Sequence, residues 1–197
     1  MEFFHKEYLK NGAEKQSLSQ LMGDAFKKAR LKFPNMRPEL VQEAKSILTD
    51  YLKSVTGNMP MVKNIEAAFN FNISKDVAIR GYIDRVDIIK DSKYHIVDYK
   101  TTKNIKYLDP FQLKIYGLWL KEKVDPNISN FKASYLLLRH QSKLKEYELN
   151  DEDIEKTKQE LLEYASKIRI DNTWVPIPTI LCNWCDFQSM CPAHRTW

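Results

Sequence analysis

The chain has 197 residues, 43% hydrophobic and 29% charged, which is the composition of a globular domain long enough to bury a sizeable core. Its net charge of +5 is explained equally well by a polyanionic partner and by a genome whose proteins are generally rich in lysine. No apolar run approaches the ~20 residues that a membrane helix needs. Without a signal-peptide pattern we expect a cytoplasmic protein with no membrane partner, in which the three cysteines favour metal or cluster chemistry over disulfides.

Helical periodicity dominates the first third of the chain and then gives way to strand patterns. Apolar residues recur at i, i+3 and i+4 spacing in residues 17–33 and 37–55, which predicts two amphipathic helices. The later elements are predicted as strands at 61–73, 77–90 and 93–102, a helix at 109–123, strands at 131–141 and 144–150, and a helix at 151–170. This order predicts an α/β core with a sheet covered by helices.

Three ionisable residues interrupt the apolar runs of the predicted hairpin: Asp84, Asp98 and Lys100. Because side chains alternate along a strand, the turn decides whether they meet. A two-residue loop would put the two aspartates on opposite faces. A three-residue loop at residues 91–93 would pair Lys90 with Tyr94 and set Asp84 opposite Lys100. We prefer this longer loop because it gathers all three groups on one face.

Two carboxylates side by side repel, and each raises the pKa of the other unless a cation lies between them. A hard divalent ion with oxygen ligands removes that conflict. A nearby lysine can then orient a metal-bound water or stabilise charge that grows on a phosphate. The competing interpretation is a solvated hairpin with polar residues on its open face, and three residues alone do not exclude it.

The exact motifs favour the catalytic interpretation. Asp84, followed by Asp98-x-Lys100 after the apolar run "HIV", resembles the PD-(D/E)xK nuclease core. More narrowly, "GYIDRVD", "IVDYKT" and "FQLKIYGLWL" resemble RecB-type nuclease domains, including AddB-like and CRISPR-associated members, over residues 66–191. The resemblance implies a restriction-endonuclease-like fold, with a mixed central sheet flanked by helices. The single domain would comprise a helical segment at 1–57, a nuclease core at 60–170 and a cysteine-bearing tail at 171–197.

The same resemblance implies an activity and a set of site residues. The activity is that of a DNA nuclease that uses Mg²⁺ or Mn²⁺, acts as an exonuclease on single-stranded or processed DNA ends, and works with a helicase or another recombination or repair subunit. The implied catalytic and metal-binding residues are Asp84, Asp98, Tyr99 through its backbone carbonyl, Lys100, Gln112 and Tyr116. The last two fit the Gln-x-x-x-Tyr motif and would position the DNA or the catalytic lysine.

Three further positions have open roles. Glu66 matches an acidic position on the preceding strand, where it supports the site or faces water. Arg85 could contact a phosphate or pair with Asp87. Many family members carry a histidine ligand in a Gly-x-x-x-His pattern, where this chain has Lys27, while His5 lies a helix away in sequence. We expect Lys27 to face the cleft and hold a phosphate. The alternative is a catalytically weak or silent DNA-binding or assembly module.

Three cysteines are closely spaced near the end of the chain: Cys182, Cys185 and Cys191. In the iron–sulfur branch of the family a similar trio joins one distant N-terminal cysteine around a 4Fe–4S cluster. The segment "FFHKEYL" resembles the end of the helix that carries that cysteine, which would fall just before Met1. We therefore expect a cluster in a longer chain. Zinc, with His194 as fourth ligand, is the alternative.

Overall fold

The computed structural model describes residues 1–11, 17–89, 93–173 and 175–193. The chain divides into two compact units, Met1–Glu160 and Leu161–Trp197. The helices are α1 (Glu2–Asn11), α2 (Leu18–Lys32), α3 (Pro38–Val55), α4 (Phe111–Lys123) and α5 (Asp151–Ile170), and the strands are β1 (Val62–Asn72), β2 (Ala78–Ile89), β3 (Lys93–Lys100), β4 (Asn130–Leu137) and β5 (Lys143–Asn150). The predicted α/β class, a mixed sheet flanked by helices, is confirmed.

The five strands lie in the sheet in chain order, β1-β2-β3-β4-β5. Neighbouring strands are antiparallel except β3 and β4, which are parallel. A parallel pair cannot be joined by a tight turn, and here α4 provides the crossover connection. The crossover therefore brings α4 back across the sheet beside the end of β3, where Asp98 and Lys100 stand.

The register of β2 and β3 differs from the one we expected. Ile89 pairs with Lys93 and Arg85 with Val97, so the next position of this register sets Asp84 opposite Asp98. The expected pairing of Asp84 with Lys100 is shifted by two residues. Because side chains alternate with a period of two, such a shift keeps the same residues on each face. The three residues between the paired strands, 90–92, include most of the expected loop and lie outside the described part of the chain.

The two faces of β3 meet different helices. Val97 belongs to a buried cluster with Leu21, Tyr51 and other residues of α1, α2 and α3. The adjacent Asp98 accepts a hydrogen bond from Tyr116 of α4. Since successive side chains of a strand point to opposite faces, α1 to α3 cover one face of the sheet and α4 covers the other.

The close approach of α4 to the sheet depends on a glycine. A Cβ atom built on Gly117 would lie 2.0 Å from Cζ of Phe131 in β4 and 2.7 Å from Cδ1 of Ile154 in α5. Helix α4 begins at Phe111, one residue after Pro110, the predicted first helical position. The Asp109 carboxylate, predicted as the N-cap, accepts a hydrogen bond from the Phe111 N–H at 2.7 Å. The aspartate therefore still satisfies a backbone donor of the first turn.

The C-terminal unit contains the end of α5 and two short 3-10 helices, Ile180–Trp184 and Gln188–Met190. Several large apolar side chains of this unit are exposed, including Ile180, Trp184 and Phe187. Among the residues that the structure describes, no helix has the length and apolar character needed to cross a membrane.

Candidate active site

Four side chains form a closed ring of polar contacts between β3 and α4. The Lys100 ammonium lies 2.7 Å from Asp98 Oδ2 and donates to Gln112 Oε1 at 2.7 Å. The Gln112 amide donates to the Tyr116 hydroxyl at 2.5 Å, and that hydroxyl donates to Asp98 Oδ1 at 3.3 Å. Each member is thus held by two others, which fixes the ammonium at the rim of the sheet. Burial, together with the charge of Asp98, raises the pKa of Tyr116, so its hydroxyl stays a proton donor.

The spacing of Gln112 and Tyr116 explains how a helix can complete this ring. Residues four apart lie on the same side of a helix, so both side chains of α4 point toward the end of β3. The four-residue spacing also lets the amide of Gln112 reach the hydroxyl of Tyr116 directly. The Tyr135 ring from β4 closes the arrangement on another side, since the Lys100 ammonium lies 4.9 Å from its centroid.

Asp84 stands beside this ring at the end of the β2–β3 pairing. Its Oδ2 accepts a hydrogen bond from the backbone N–H of Tyr99 at 2.7 Å. Burial raises the pKa of Asp84; the Tyr99 hydrogen bond opposes that shift, and the nearby charge of Asp98 adds to it. The two carboxylates therefore sense each other, as expected for a pair that a cation would bridge.

The chemistry of these donors fits a hard divalent cation. Asp98 is 3% exposed, and its Oδ2 is a buried acceptor with no hydrogen bond among the described residues, although the Lys100 ammonium neutralises it at ion-pair distance. The carboxylates of Asp84 and Asp98 and the backbone carbonyl of Tyr99, the ligands that the resemblance implies, are all oxygen donors. The described residues hold no group of three or more His, Cys, Asp and Glu side chains placed to bind a metal. Mg²⁺ commonly binds through one or two carboxylates and retains several waters, so two suffice.

A second polar network supports β3 from the opposite face. The His5 ring is fully buried, with Nδ1 3.0 Å from the Tyr99 hydroxyl and Nε2 2.8 Å from the Tyr51 hydroxyl. Burial, with the Arg85 guanidinium nearby, lowers the pKa of His5 to about 2, so the imidazole is neutral. Arg85 is 4% exposed, donates to Tyr51 at 3.0 Å and pairs with Asp87 at 3.0 Å. Arg85 was expected either to contact a phosphate or to pair with Asp87, and in the structure it pairs with Asp87.

Glu66 lies on β1 across from Asp84, because its neighbours Ile65 and Ala67 pair with Arg85 and Ile83. Its φ angle of 51° is in the left-handed region, which is strained for a residue with a side chain. Partial burial and the charge of Asp84 raise the pKa of Glu66. The residue is therefore electrostatically coupled to the site rather than an isolated surface acid.

Lys27 is not brought to this cluster. Its side chain is 79% exposed, and within the described residues it pairs with Asp24 of the same helix at 3.3 Å. Ala25, two positions earlier on the same helix, is buried in the hydrophobic core instead. The structure therefore places an ammonium group, and not a metal ligand, on the outer surface of α2.

The three cysteines line one cavity in the C-terminal unit, although the described residues do not place all three together as a metal-binding group. Cys182, Cys185 and Cys191 are free thiols that line a space of about 330 Å³. The Thr179 backbone N–H donates to the Cys182 sulfur at 3.3 Å, which is a contact that also stabilises thiolates. The candidate ligand His194 lies outside the described residues.

Sequence reasoning did not find three residues of this region: His5, Tyr51 and Tyr135. The contacts of His5 with Tyr99 and of Tyr51 with Arg85 join residues 94 and 34 positions apart. Such tertiary contacts have no local pattern. The only available signal was the placement of His5 and Tyr51 beside apolar residues on predicted helix faces, where a core role is the ordinary expectation.

Sequence comparisons show which known proteins this chain is similar to. The model of the PD-(D/E)XK nuclease superfamily matches residues 1–192 of the chain. One of the subunits of the ATP-dependent helicase/deoxyribonuclease of Streptococcus mutans is 38% identical over 73 residues, which make up 34% of this chain. The match spans only 7% of the length of that relative.

Two solved structures are similar at low sequence identity. The crystal structure of SSO0001 has a TM-score of 0.45 and 21% identity, with 98% of this chain and 82% of that chain covered. A protein from Eubacterium rectale that carries the provisional name of exonuclease has a TM-score of 0.48 and 12% identity, with 100% and 74% covered. Of the sequence similarities described above, the match to the superfamily model extends over most of the chain, residues 1–192.

Proposed function

The chain belongs to the PD-(D/E)XK nuclease superfamily, and on that premise we propose that it hydrolyses phosphodiester bonds of DNA in a reaction that depends on Mg²⁺ or Mn²⁺. The observation that carries the proposal is the closed ring of Asp98, Lys100, Gln112 and Tyr116 beside Asp84. A buried carboxylate and an ammonium fixed from two directions are an arrangement that a solvated hairpin has no reason to form.

The ring residues and their neighbours Asp84 and Tyr99 divide the work between metal binding, charge stabilisation and positioning. Asp84, Asp98 and the backbone carbonyl of Tyr99 would hold the divalent cation. When bound, such an ion lowers the pKa of a water ligand and stabilises charge on the phosphoryl oxygens. Lys100 approaches the scissile phosphate and stabilises the negative charge that develops on it. Gln112, which is itself held by Tyr116, keeps the ammonium from turning to solvent, so its position is prepared before the substrate arrives.

The finer assignment rests on the motifs that resemble RecB-type nuclease domains. We propose an exonuclease that acts on single-stranded or processed ends, in the cytoplasm, together with a helicase or another repair subunit. The similarity to a chain of the Streptococcus mutans helicase/deoxyribonuclease supports a helicase partner, although the match covers a small part of that relative. We also propose that the three cysteines bind a 4Fe–4S cluster, with zinc as the competing ion.

One observation favours a second function. Lys27 stands where many family members have a histidine ligand, and it is exposed on α2. A lysine ammonium has no lone pair for a metal. A module that binds DNA without cutting it would show this feature, and it is the outcome against which the nuclease proposal is tested.

The test uses labelled single-stranded DNA with the intact protein in Mn²⁺ and then in EDTA. We expect cleavage in Mn²⁺ alone. Asp98→Asn, which keeps the shape but removes the charge of a metal ligand, should abolish cleavage and keep DNA binding. Asp24→Asn on the surface of α2 is the matched control and should cut like the wild type. Binding without cleavage by the wild type under both conditions would establish the silent module instead.

A further inference from the structure

We propose that Tyr107 is a stacking platform for an unpaired base, so that the site selects single-stranded DNA. The inference rests on the proposed nuclease function and adds the residue that would distinguish a single strand from a duplex. Its basis is the segment between β3 and α4, residues 101–108, which directly follows Lys100. This segment had no role in the chemistry described above.

The Tyr107 side chain is 84% exposed, more than any other large apolar or aromatic residue among those that the structure describes. No hydrogen bond or ring contact to it is found within the described residues. A tyrosine ring left in water exposes apolar area without any gain in stability. A base that stacks on the ring would cover that area.

The segment that carries Tyr107 is ordered rather than loose. The Thr102 hydroxyl donates to the carbonyl of Asn104, and the Asn104 side chain accepts from the Lys106 N–H, both at 3.0 Å. At the other end, the Leu108 carbonyl accepts from the Lys145 ammonium at 3.4 Å. The ring is therefore presented from a backbone fixed on both sides, which reduces the entropy lost when a ligand binds.

The segment lies close to the proposed catalytic centre. The carbonyl of Asp109 accepts from the Tyr135 hydroxyl at 2.6 Å, and the Tyr135 ring is the one that contacts Lys100. Tyr107 is two residues from Asp109, a distance of at most about 7 Å along an extended chain. A strand that places one phosphate at Lys100 therefore has neighbouring nucleotides within reach of Tyr107.

The charge around Tyr107 suits a polyanion. Residues 101–108 contain Lys103 and Lys106 and no acidic residue, and both lysines are exposed. Lys145 adds a third ammonium beside Leu108. Lysines that contact the backbone, with an aromatic ring between them, are the usual elements of single-strand recognition. In the interior of a duplex both faces of each base are already stacked, so the ring would have no base face to bind there.

The test measures binding without cleavage, in EDTA, by fluorescence anisotropy of labelled DNA. Three ligands are compared: a single strand, the same strand with abasic sites, and a blunt duplex. The variants are Tyr107→Ala, Tyr107→Phe, which keeps the ring, and Tyr164→Ala, which removes an exposed tyrosine of α5.

We expect Tyr107→Ala to weaken single-strand binding about tenfold, the loss typical of one stacked base, while Tyr107→Phe stays within about twofold. Abasic DNA should bind the wild type about as weakly as the intact strand binds Tyr107→Ala, and the two losses should not add. Tyr164→Ala should bind like the wild type.

Wild-type affinity for the single strand in Tyr107→Ala would overturn the inference. So would an equal loss on intact and abasic strands, because the ring would then contact the backbone. These results are independent of the nuclease proposal, which fails separately if the wild type does not cut DNA in Mn²⁺.

Discussion

Asp98 is a carboxylate whose charge is balanced by one neighbour. It is 3% exposed and lies 2.7 Å from the ammonium of Lys100, whose own side chain is 25% exposed. Burying a charge without a partner costs several kcal/mol, so the lysine stabilises the apo protein as well as serving the reaction. A divalent cation at Asp84 and Asp98 would supply the same positive charge from another direction.

This double role leads to a prediction about Lys100→Met. The variant should lose cleavage, and its free energy of unfolding without metal should fall by about 2–4 kcal/mol because Asp98 loses its buried counter-ion. Adding Mg²⁺ should raise the melting temperature of the variant more than that of the wild type, since the ion then provides the missing charge. Thermal unfolding with and without Mg²⁺ measures both effects.

The control for this prediction is Asp98→Asn, in which Mg²⁺ should cause little or no rise in melting temperature. An equal Mg²⁺ effect on the wild type, Lys100→Met and Asp98→Asn would contradict a metal at these carboxylates and would point to a site elsewhere.

Among the elements, α4 links the packing of the sheet to the geometry of the site. Gln112 of this helix accepts a hydrogen bond from Lys100, and Tyr116 bonds both Gln112 and Asp98. Gly117 lets the same helix approach Phe131 of β4. The distance of the helix from the sheet therefore sets the positions of both polar side chains. A shift of the helix by a few tenths of an ångström changes the core and the site together.

Gly117→Ala tests this coupling. The added Cβ would lie 2.0 Å from Phe131, so the helix or the ring must move. We expect a loss of about 2 kcal/mol or more in the free energy of unfolding by urea, the usual cost of overpacking, and slower cleavage because Gln112 and Tyr116 move with the helix.

Gly23→Ala is the matched control, because it makes the same change inside α2 where no atom lies within 4 Å of the new Cβ. It should stabilise the protein by about 0.5–1 kcal/mol through helix propensity. Wild-type stability in Gly117→Ala would show that the contact of α4 with β4 is not tight.

For the molecule as a whole, the elements with a short hydrophobic period could be predicted from the sequence. A hydrophobic period of two residues predicts the strands that carry Asp84 and Asp98, and a period of about four predicts the helix that carries Gln112. The family motif indicated that these three elements share one site. The register of β2 and β3 depended on a turn that offers no strong signal, and the preferred loop was wrong by two positions in the pairing. The buried position of His5 behind Tyr99 depends on tertiary packing, which no local pattern encodes.

The described residues of the C-terminal unit form little hydrophobic core of their own. Exposed side chains such as Ile177, Ile180 and Trp184 form no buried core, and the regular structure described there consists of two short 3-10 helices besides the end of α5. A unit with so little core needs another source of order, and in small domains a bound metal commonly provides it.

The last prediction follows from this shortage of core. A metal or cluster bound by Cys182, Cys185 and Cys191, which line one cavity, should protect the C-terminal unit from proteolysis. Changing any of the three cysteines to Ser should lower the metal content and speed the proteolysis of this unit. The same change should leave the polar ring that contains Asp98 undisturbed. In protein purified without oxygen, absorbance near ~400 nm would indicate an iron–sulfur cluster, because thiolate-bound clusters absorb there. Metal analysis that finds zinc alone would contradict the cluster and favour the zinc site. Equal proteolysis of the wild type and the three variants, with no bound metal, would exclude both.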